Sequence, residues 1–434
     1  MLKTYQYSQL SSDELTKLCN RVAVDLDQAF ETVRPIIKDV AIRGDKAVSE
    51  YNMKFDGRSN DPLYIPVRQP DDIPINEQTK SAFNIAYQNI FEFHKAQLPH
   101  LLEVETMPGV VCRRVPVPIQ SVGLYVPGGT AVLPSSVLML GVPAQLAGCK
   151  TIVIATPPGK DGSVALEVEY AAALCGVSGI LQAGGAQAIA ALAYGTETVP
   201  KTLKILGPGN QFVTAAKMHL QNSNARVAID MPAGPSEVLV IADESANPAF
   251  IAADLLSQAE HGNDSQVVLV ATKSTNIEAI NKELEKQLNA LPRAEYAKKA
   301  LDGSYTVVVS DLEEAMAFSN EYAPEHLIIQ TKDASELAQK VVNAGSVFIG
   351  HWTPESVGDY ASGTNHTLPT SGYAAVYSGV SVDAYFKHIT MQELTEDGLQ
   401  VLGPAVEIMA ETESLDAHKN AVSIRLKQLK ATQS

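Results

Sequence analysis

The sequence predicts an α/β protein, and three observations support that fold class. Strand, glycine turn and helix follow one another three times between residues 121 and 219. The strands there include short runs of Ile and Val, which suit parallel strands buried on both faces. A second series of strands and helices covers residues 238–349. We therefore expect two doubly wound, incomplete Rossmann-like lobes, with small helical appendages at the N-terminal and C-terminal ends.

Each element is predicted from the spacing of its apolar residues and from the residues that bound it. Apolar residues three or four positions apart predict helices, and short apolar runs between glycine or proline turns predict strands. The expected helices cover residues 25–43, 76–94, 135–146, 166–174, 186–194, 211–219, 247–262, 277–288, 312–319, 334–343, 402–411 and 414–427. The expected strands cover residues 121–126, 151–155, 179–182, 202–206, 238–242, 266–271, 305–310, 327–330 and 346–349. Pro35 should bend or restart its helix.

Changes in composition divide the chain into four expected parts. Residues 1–20 are an N-terminal arm with one helix. Residues 21–124 and 236–380 together form the main lobe, which should carry the metal and the catalytic residues. Residues 125–235 form the second lobe. Residues 381–434 form a C-terminal tail module with two helices.

Composition and charge limit the partners of the protein. The 434 residues are enough for about three domains, and 45% hydrophobic with 19% charged residues is ordinary for a globular protein. A formal charge of −16 argues against a nucleic-acid or anionic membrane partner, since both need clustered Lys and Arg. No apolar run is long enough to span a bilayer, and MLKTYQYSQLSSDEL lacks the apolar core of a signal peptide. We therefore expect a cytoplasmic protein.

Glycine turns follow three of the predicted strands, at Gly128-Gly129, Gly184-Gly185 and Gly207–Asn210. Ligands of doubly wound folds bind at the carboxyl ends of strands, where glycine lets backbone N–H groups approach a phosphate. None of the turns has the G-x-G-x-x-G spacing of the standard dinucleotide fingerprint. Any one of them could simply turn the chain, but three at equivalent strand ends favour a nucleotide-binding cleft.

Two proton-handling side chains, Glu325 and His326, lie between Pro324 and an apolar strand. Pro324 should hold Ala323 in extended geometry, so that the pair sits on a stiff turn entering the strand. An isolated pair of this kind is more often a solvated Glu beside a strand-capping His. Its context in the chain favours a catalytic role, with His326 as a general base.

Further polar residues lie at helix ends and in one long loop. On the helix at 247–262, Asp254, Gln258 and His261 share one face; the alternative is a merely polar helix end. Residues 351–366 show no periodicity, and a long loop inside a compact domain is usually functional. Within it, Asp359 and His366 could ligate a metal, handle protons or bond the local backbone.

The tail offers a second acid–imidazole pair. Ser414 is a suitable N-cap for the last helix, which would place Glu413 and His418 close together at the helix start. Such a pair could share one ligand. The alternative is a solvated, charged helix.

Eight motifs in order resemble the histidinol dehydrogenase family. They are GLYVPGG, GGAQAIAALAYGTE, GPGN, DMPAGPSEVLV, SQAEHG, APEHLIIQ, GDYASGTNH and HKNAVSIR, and they extend over most of residues 20–425. The resemblance implies a zinc- and NAD-dependent four-electron oxidation of L-histidinol through L-histidinal to L-histidine, the last step of histidine biosynthesis. Manganese would also suit the implied ligands. The resemblance further implies a homodimer in which the tail of one chain completes the active site of the other.

The resemblance assigns roles to residues by their positions in these motifs. It implies metal ligation by Gln258, His261, Asp359 and His418, and NAD binding by Tyr125, Gln187 and Asn210. Substrate binding is implied for Ser236, His326, Glu413 and the metal ligands, and His366 should bind substrate or support the catalytic groups. The chemistry of the residues adds that His326 would take the alcohol proton and that Glu325 would activate water for the second oxidation.

Two competing functions remain open from sequence. A thiol-type aldehyde dehydrogenase would need a nucleophilic cysteine, but Cys112 and Cys149 have no activating neighbours. We expect these two, with Cys19 and Cys175, to be small buried hydrophobic side chains. A clamshell binding protein for a small metabolite would also have two α/β lobes, but it would be expected to carry an export signal and would not need the Glu325–His326 pair beside a metal-ligand set.

Overall fold

The computed structural model of the chain describes residues 2–21, 26–58, 60–128, 133–159, 161–231 and 234–432. By compactness the chain divides into two units. Unit 1 is Met1–Gln97 with Ile119–Tyr385, and unit 2 is Leu98–Pro118 with Phe386–Ser434. The division into an arm, two lobes and a tail stays a prediction, although the strand pairings described below assign several segments differently.

The described residues contain the following elements. The strands are β1 Lys3–Gln6, β2 Tyr64–Ile65, β3 Leu102–Met107, β4 Val110–Pro118, β5 Ser121–Tyr125, β6 Thr151–Ala155, β7 Gly179–Leu181, β8 Lys204–Leu206, β9 Ala228–Ile229, β10 Glu237–Ala242, β11 Gln266–Thr272, β12 Tyr305–Val309, β13 His326–Gln330, β14 Ser346–Ile349 and β15 Phe386–Leu394. The helices are α1 Ser12–Cys19, α2 Leu26–Arg43, α3 Asp45–Asp56, α4 Glu77–Lys95, α5 Pro134–Ala147, α6 Leu166–Leu174, α7 Gly185–Tyr194, α8 Gln211–Gln221, α9 Pro248–Ala259, α10 Ile277–Leu288, α11 Ala294–Asp302, α12 Leu312–Tyr322, α13 Ala334–Ala338, α14 Glu355–Tyr360, α15 Glu396–Thr412 and α16 Asp416–Thr432.

The first sheet of unit 1 has six parallel strands in the order β1-β12-β11-β10-β13-β14. Apolar side chains of α9, α10 and α11 pack on one face of this sheet. Those of α1, α12 and α13 pack on the other face. Helices on both faces explain why the strands are continuous apolar runs, since neither face meets water. The predicted doubly wound α/β class is confirmed.

The expected N-terminal arm is part of this first sheet. Its residues form β1, which pairs in parallel with β12 at the edge, from Lys3 opposite Tyr305 to Gln6 opposite Val308. The following helix, α1, begins with a capping box in which Ser11 and Glu14 bond each other's backbone N–H groups. The arm prediction was therefore incomplete, because KTYQ is too short and too polar to be recognised as a strand without its partner.

The second sheet of unit 1 has the order β2-β7-β6-β5-β8-β9. Its strands are parallel except for β2, which pairs antiparallel with β7. Helix α2 packs in the same apolar core as α7 and α8, although the sequence had assigned it to the main lobe. The apolar side of α2 could not indicate which of two apolar surfaces it covers. The helix does not restart at Pro35, which lies inside it, and the alternative expectation of a bend there stays a prediction. Asp25, its expected first residue, lies outside the described residues.

Unit 2 contains an antiparallel sheet in the order β15-β4-β3 and two helices, α15 and α16, which pack on each other. Residues 98–118 were expected in the main lobe, and the tail was expected to be helical. Instead β4 pairs with β15 along its whole length, from Val110 opposite Leu394 to Pro118 opposite Phe386. The two segments are far apart in sequence, so only the folded chain reveals this pairing.

Three further differences concern local structure in unit 1. The sequence predicted neither α3 nor α11, and it predicted residues 351–366 to be a loop without regular structure, whereas Glu355–Tyr360 form α14. This helix is six residues long, which is too short for a clear helical period. Across the described residues, no helix combines the length and the apolar character needed to cross a membrane.

Candidate active site

The acid–imidazole pair lies at the amino ends of two neighbouring strands. His326 is the first residue of β13 and is paired with Val238, the second residue of β10. Glu325 immediately precedes β13, and both side chains are buried. Ligands of parallel sheets usually bind at the carboxyl ends of the strands. Here α9 runs back along the sheet and brings its carboxyl end to the amino ends of the strands, which creates a polar site there.

The turn before the pair differs from the expected geometry. Ala323 has φ 49° and ψ 65°, a left-handed conformation, and its N–H donates to the Ser319 carbonyl. The prediction of an extended Ala323 was therefore wrong. The left-handed residue ends α12 and turns the chain so that Pro324 leads directly into β13. The Glu325–His326 pair is thus held between a helix end and a buried strand.

Hydrogen bonds determine which atom of His326 is available for chemistry. Its Nδ1 lies 3.2 Å from the Glu237 carbonyl oxygen and 3.5 Å from Oε2 of Glu325. A carbonyl oxygen can only accept, so Nδ1 carries the proton in the neutral ring and Nε2 carries the lone pair. Nε2 is 3.5 Å from Oδ1 of Asp359. His326 can therefore accept a proton at Nε2.

The charges around His326 favour its protonated form. Burial acts against the imidazolium, but the carboxylates of Glu325, Glu355 and Asp359 outweigh it and raise the pKa of His326 well above the ordinary value. Burial also acts to raise the pKa of Asp359, but its bond to His326 and the nearby histidine charges lower that pKa overall. The two groups thus stabilise each other's charged forms.

Asp359 also belongs to a group that could hold a metal ion. Ligand atoms of His261, Glu355 and Asp359 all lie within 4.8 Å of one another, and Nε2 of His261 is 3.9 Å from Oδ2 of Asp359. His261 follows the end of α9, while Glu355 and Asp359 are four residues apart in α14 and share one face. One imidazole and two carboxylates form a nitrogen and oxygen donor set that suits zinc or manganese.

Glu355 is a residue of this group that sequence reasoning missed. Its side chain is fully buried, and burial, with Asp359, Glu325 and Asp254 nearby, raises the pKa of its carboxyl well above the ordinary value. The Glu–x₃–Asp spacing in ESVGDY would place both carboxylates on one face of a helix. The spacing has no such meaning in a loop, which is what the sequence predicts for this stretch.

Gln258 lies one helical turn before His261 and is wholly buried. Among the described residues, neither its amide oxygen nor its amide nitrogen has a hydrogen-bond partner. A buried amide without partners is costly, so this side chain is suited to a ligand. Asp254, one turn further back, accepts a bond from Gln330 Nε2 at 2.6 Å, and burial raises its pKa to about 6.

His366 links Asp359 to the second sheet. Its Nδ1 lies 2.8 Å from the Asp359 carbonyl oxygen, and its Nε2 lies 3.1 Å from the hydroxyl of Ser136 in the first turn of α5. Burial lowers the pKa of His366, so the ring is suited to remain neutral. Its Nε2 can then accept a hydrogen bond from the Ser136 hydroxyl. The metal-ligand group is therefore connected to the helix that follows β5.

The three residues expected to contact a dinucleotide lie at the carboxyl edge of the second sheet. The Tyr125 hydroxyl, at the end of β5, accepts a bond from the Gly185 N–H at 3.1 Å. Gln187 lies in the first turn of α7, and among the described residues its Oε1 is unpaired. Asn210 caps α8. Tyr125 ends β5 and Asn210 follows β8, the two strands between which the strand order reverses, whereas Gln187 follows β7.

Two of the glycine turns at this edge have backbone geometry that favours glycine, while the expected approach of their N–H groups to a phosphate stays a prediction. Gly185 and Gly207 both have positive φ angles. A side chain at Gly207 would meet the Tyr125 carbonyl oxygen at 2.2 Å, so only glycine fits between β5 and β8. Gly129, part of the turn predicted at Gly128-Gly129, lies outside the described residues.

Three remaining candidates have simpler surroundings. Ser236 is half-buried beside Glu237, and its carbonyl accepts from the Gln266 N–H. Glu413 and His418 lie in unit 2. Ser414 is not an N-cap as predicted: it has φ 57°, its N–H donates to the Glu411 carbonyl in the last turn of α15, and α16 begins only at Asp416.

The cysteines do not support thiol chemistry. Burial raises the pKa of Cys19 to about 11, that of Cys149 to about 12, and that of Cys175 further. Thiols with raised pKa values are poor nucleophiles near neutral pH. Cys112 lies in β4 and is half-buried, although it was expected to be buried. A thiol-type aldehyde dehydrogenase is therefore disfavoured.

Comparison with known proteins identifies the family. The family model described as histidinol dehydrogenase matches residues 19–426. A chloroplastic histidinol dehydrogenase of Arabidopsis thaliana is 59% identical over 433 residues, covering 100% of this chain and 93% of the plant protein. Histidinol dehydrogenase of Bacteroides thetaiotaomicron is 53% identical over 432 residues, covering 99% of this chain and 100% of the bacterial protein. The crystal structure of histidinol dehydrogenase from Elizabethkingia anophelis has a TM-score of 0.91 and 48% identity, covering 99% of both chains.

The chain belongs to the histidinol dehydrogenase family. It is thus an oxidoreductase of histidine biosynthesis that acts on a small-molecule substrate, histidinol, and the resemblance read from its motifs is confirmed. The matched range includes every candidate residue discussed above. Because the Arabidopsis histidinol dehydrogenase is chloroplastic, the expected cytoplasmic location stays a prediction.

Asp254 should make the stability of the metal-free protein depend on pH. Its folded pKa of about 6 exceeds the ordinary 3.8, so the folded state must lose a buried proton as pH rises, and stability falls across this range. The cost reaches about 3 kcal/mol above pH 7. The substitution Asp254→Asn should therefore stabilise the protein, by about 1.5 kcal/mol more at pH 7.5 than at pH 5.

Urea unfolding with a chelator present measures this difference. Asp302→Asn, on the surface at the end of α11, controls for the change of net charge. Parallel pH profiles for the parent and the Asp254→Asn variant would contradict the prediction.

Proposed function

We propose that the protein oxidises L-histidinol through L-histidinal to L-histidine, with NAD as the acceptor and a divalent cation, zinc or manganese, in the site. One observation carries this proposal: the buried Glu325–His326 pair lies beside the metal-ligand group, with Nε2 of His326 3.5 Å from Asp359. A base and a metal-ligand group this close can act on one small substrate.

The donor atoms of this chain fit the proposed cation. Gln258, His261 and Asp359 are the ligands we assign in unit 1, and Glu355 is a further candidate because it lies within the same group. The unpaired amide of buried Gln258 supports its assignment. A bound cation would hold nitrogen atoms of the substrate and so orient its alcohol carbon.

His326 is the general base we assign to the first oxidation, because a bound divalent cation would offset the charges of the carboxylates that raise its pKa and so leave the ring neutral. Nε2 takes the hydroxyl proton of L-histidinol while the hydride leaves the same carbon for the nicotinamide, which yields the aldehyde. The Glu237 carbonyl holds the proton on Nδ1, so the ring is oriented to accept at Nε2. Asp359 then lies next to the imidazolium that forms and stabilises it.

Glu325 is the group we assign to the second oxidation. Its Oε2 is held by the Glu237 N–H at 2.9 Å, so Oε1 is the oxygen we assign to the attacking water. The carboxylate removes a water proton as the oxygen adds to the aldehyde carbon, and a second hydride then leaves that carbon for a second NAD, which gives the carboxylic acid. A well-placed base contributes roughly 10²- to 10⁴-fold to a rate.

The carboxyl edge of the second sheet is the proposed NAD site. Tyr125, Gln187 and Asn210 would bind the cofactor, and the reversal of strand order between β5 and β8 supports this position. The contact between Ser136 and His366 supports a cofactor placed near the oxidised carbon, because it joins the start of α5 to the metal-ligand group.

We also propose a homodimer in which Glu413 and His418 of one chain complete the site of the other. Exposed apolar side chains on α15 support this assembly, among them Val401, Ile408 and Met409, each 65% exposed. Apolar surface of this kind is usually covered by a partner. The charge of −16 does not favour a nucleic acid or an anionic membrane as that partner.

The overall reaction predicts a fixed ratio of products. The purified protein should form two NADH for each L-histidinol consumed, because each oxidation releases one hydride. Removing the metal with a chelator should abolish activity, and zinc or manganese should restore it. Absorbance of NADH with chromatography of histidine measures the ratio. A ratio of one, or activity that survives complete metal removal, would count against the proposal.

The two oxidations should respond differently to substitution of the acid–imidazole pair. His326→Asn should slow both steps by roughly 10²-fold or more, since the base acts in the first and assists in the second. Glu325→Gln should slow mainly histidinal oxidation by a similar factor. Stopped-flow measurement of NADH with each substrate separates the steps. Equal losses in both steps for Glu325→Gln would contradict the assignment.

Shared sites predict complementation between two inactive variants. His261→Ala and His418→Ala each remove a ligand, so each homodimer should be inactive. A heterodimer of the two has one site with both histidines intact and should regain up to half of the activity per dimer. Co-expression of the two variants with different affinity tags isolates the heterodimer. Doubly tagged dimers in which both chains carry the same substitution are the control. No recovery would indicate that each chain completes its own site.

A further inference from the structure

A buried ion pair lies directly behind the acid–imidazole pair. Glu237 is the first residue of β10 and is only 1% exposed. Arg21 donates to it with two nitrogens, from Nε to Oε2 at 2.7 Å and from Nη2 to Oε1 at 2.6 Å. This is the parallel two-bond geometry in which arginine holds a carboxylate most firmly. Neither residue was selected from the sequence.

Glu237 contacts Glu325 through two bonds that run in opposite directions. The Glu237 N–H donates to Oε2 of Glu325 at 2.9 Å, and the Glu325 N–H donates to Oε1 of Glu237 at 3.2 Å. Both the backbone and the carboxylate of Glu325 are therefore held by a single residue. The carboxylate of Glu237 provides one of these two bonds, and the position of that carboxylate depends on Arg21.

Arg21 is itself held rigidly. Its Nη1 donates to the carbonyl oxygens of Cys19 and Tyr322, at 2.7 Å each, and its guanidinium lies 3.5 Å from the centre of the Tyr322 ring. Tyr322 is the last residue of α12, three residues before Glu325. Arg21 thus ties the end of α12 to the start of β10, the two segments between which Glu325 lies.

Breaking this pair should move Glu325 more than His326. The side chain of Glu237 accepts a bond from the Glu325 N–H, whereas His326 is bonded by the backbone carbonyl of Glu237 and not by its side chain. That carbonyl belongs to the strand, which the pairing of Val238 with His326 holds in place. A displaced Glu237 carboxylate would also leave two acidic groups facing each other in a buried site, which pushes the Glu325 carboxylate away.

We propose that Glu237, fixed by Arg21, is a positioning residue that orients the Glu325 carboxylate for the aldehyde step. This inference rests on the proposed function of Glu325 as the base that activates water. The alternative is that the Arg21–Glu237 pair only stabilises the fold. A displacement of about 1 Å in a catalytic group can cost roughly 10²-fold in rate, so the two roles differ measurably.

The test is a double-mutant cycle on the metal-loaded enzyme. Arg21→Lys keeps the charge but loses the two-bond geometry. It is made in the parent and in Glu325→Gln, and kcat and KM are measured separately for L-histidinol and for L-histidinal. Arg68→Lys is the matched control, because Arg68 makes the same two-nitrogen pair with buried Glu169 in α6. Thermal unfolding of each variant is recorded.

We expect Arg21→Lys to lower kcat for histidinal oxidation by roughly 10- to 100-fold, with KM and the histidinol step changed less than about threefold. In the Glu325→Gln background the same substitution should have almost no further effect on kcat. Arg68→Lys should leave both steps unchanged. If Arg21→Lys does not fold, Glu237→Gln carries the same expectations, since it keeps the volume and an acceptor oxygen.

Three outcomes would overturn the inference: equal losses in the two steps, an undiminished loss in the Glu325→Gln background, or unchanged histidinal oxidation. Failure of the proposed function is distinguishable, because Glu325→Gln alone would then leave histidinal oxidation intact.

Discussion

The candidate site depends on the parallel pairing of β10 with β13. This pairing places Val238 opposite His326, and so brings Glu237 next to Glu325 although 88 residues separate them. The Glu237 backbone then fixes both catalytic candidates, through its N–H to Glu325 and its carbonyl to His326. Since the strands are buried on both faces, the register cannot slip without burying polar groups in the apolar layers.

Charge is the second constraint, because several acids are buried around one imidazole. The charges of Asp254, Glu325 and Asp359 all act to raise the pKa of buried Glu355. Burial of so much negative charge is unfavourable unless cations compensate it. His326 and Arg21 supply part of the compensating positive charge within unit 1. The proposed divalent cation would supply the remainder, and the His261–Glu355–Asp359 group and the unpaired Gln258 amide are the donors that suit it.

The two sheets of unit 1 use opposite ends of their strands. In the second sheet the strand order reverses between β5 and β8, and glycine turns allow close backbone approach at the carboxyl ends. In the first sheet the polar residues lie at the amino ends, where α9 terminates. The His366 contacts with Asp359 and Ser136 join these two regions. A substrate and a cofactor held by different sheets can therefore meet at this junction.

The sequence by itself determined the fold class, most elements of unit 1 and the candidates marked by local spacing, such as Gln258 and His261 on α9. These features depend on contacts between near neighbours, which periodicity records. Only the tertiary structure revealed Glu355, Glu237 and Arg21, the edge position of β1 and the pairing of β4 with β15. Each of these depends on a partner far away in the chain: Arg21 is an unremarkable basic residue until the fold brings it 2.6 Å from Glu237. Long-range pairing leaves no local pattern, because the energy that selects it arises only when the chain is compact.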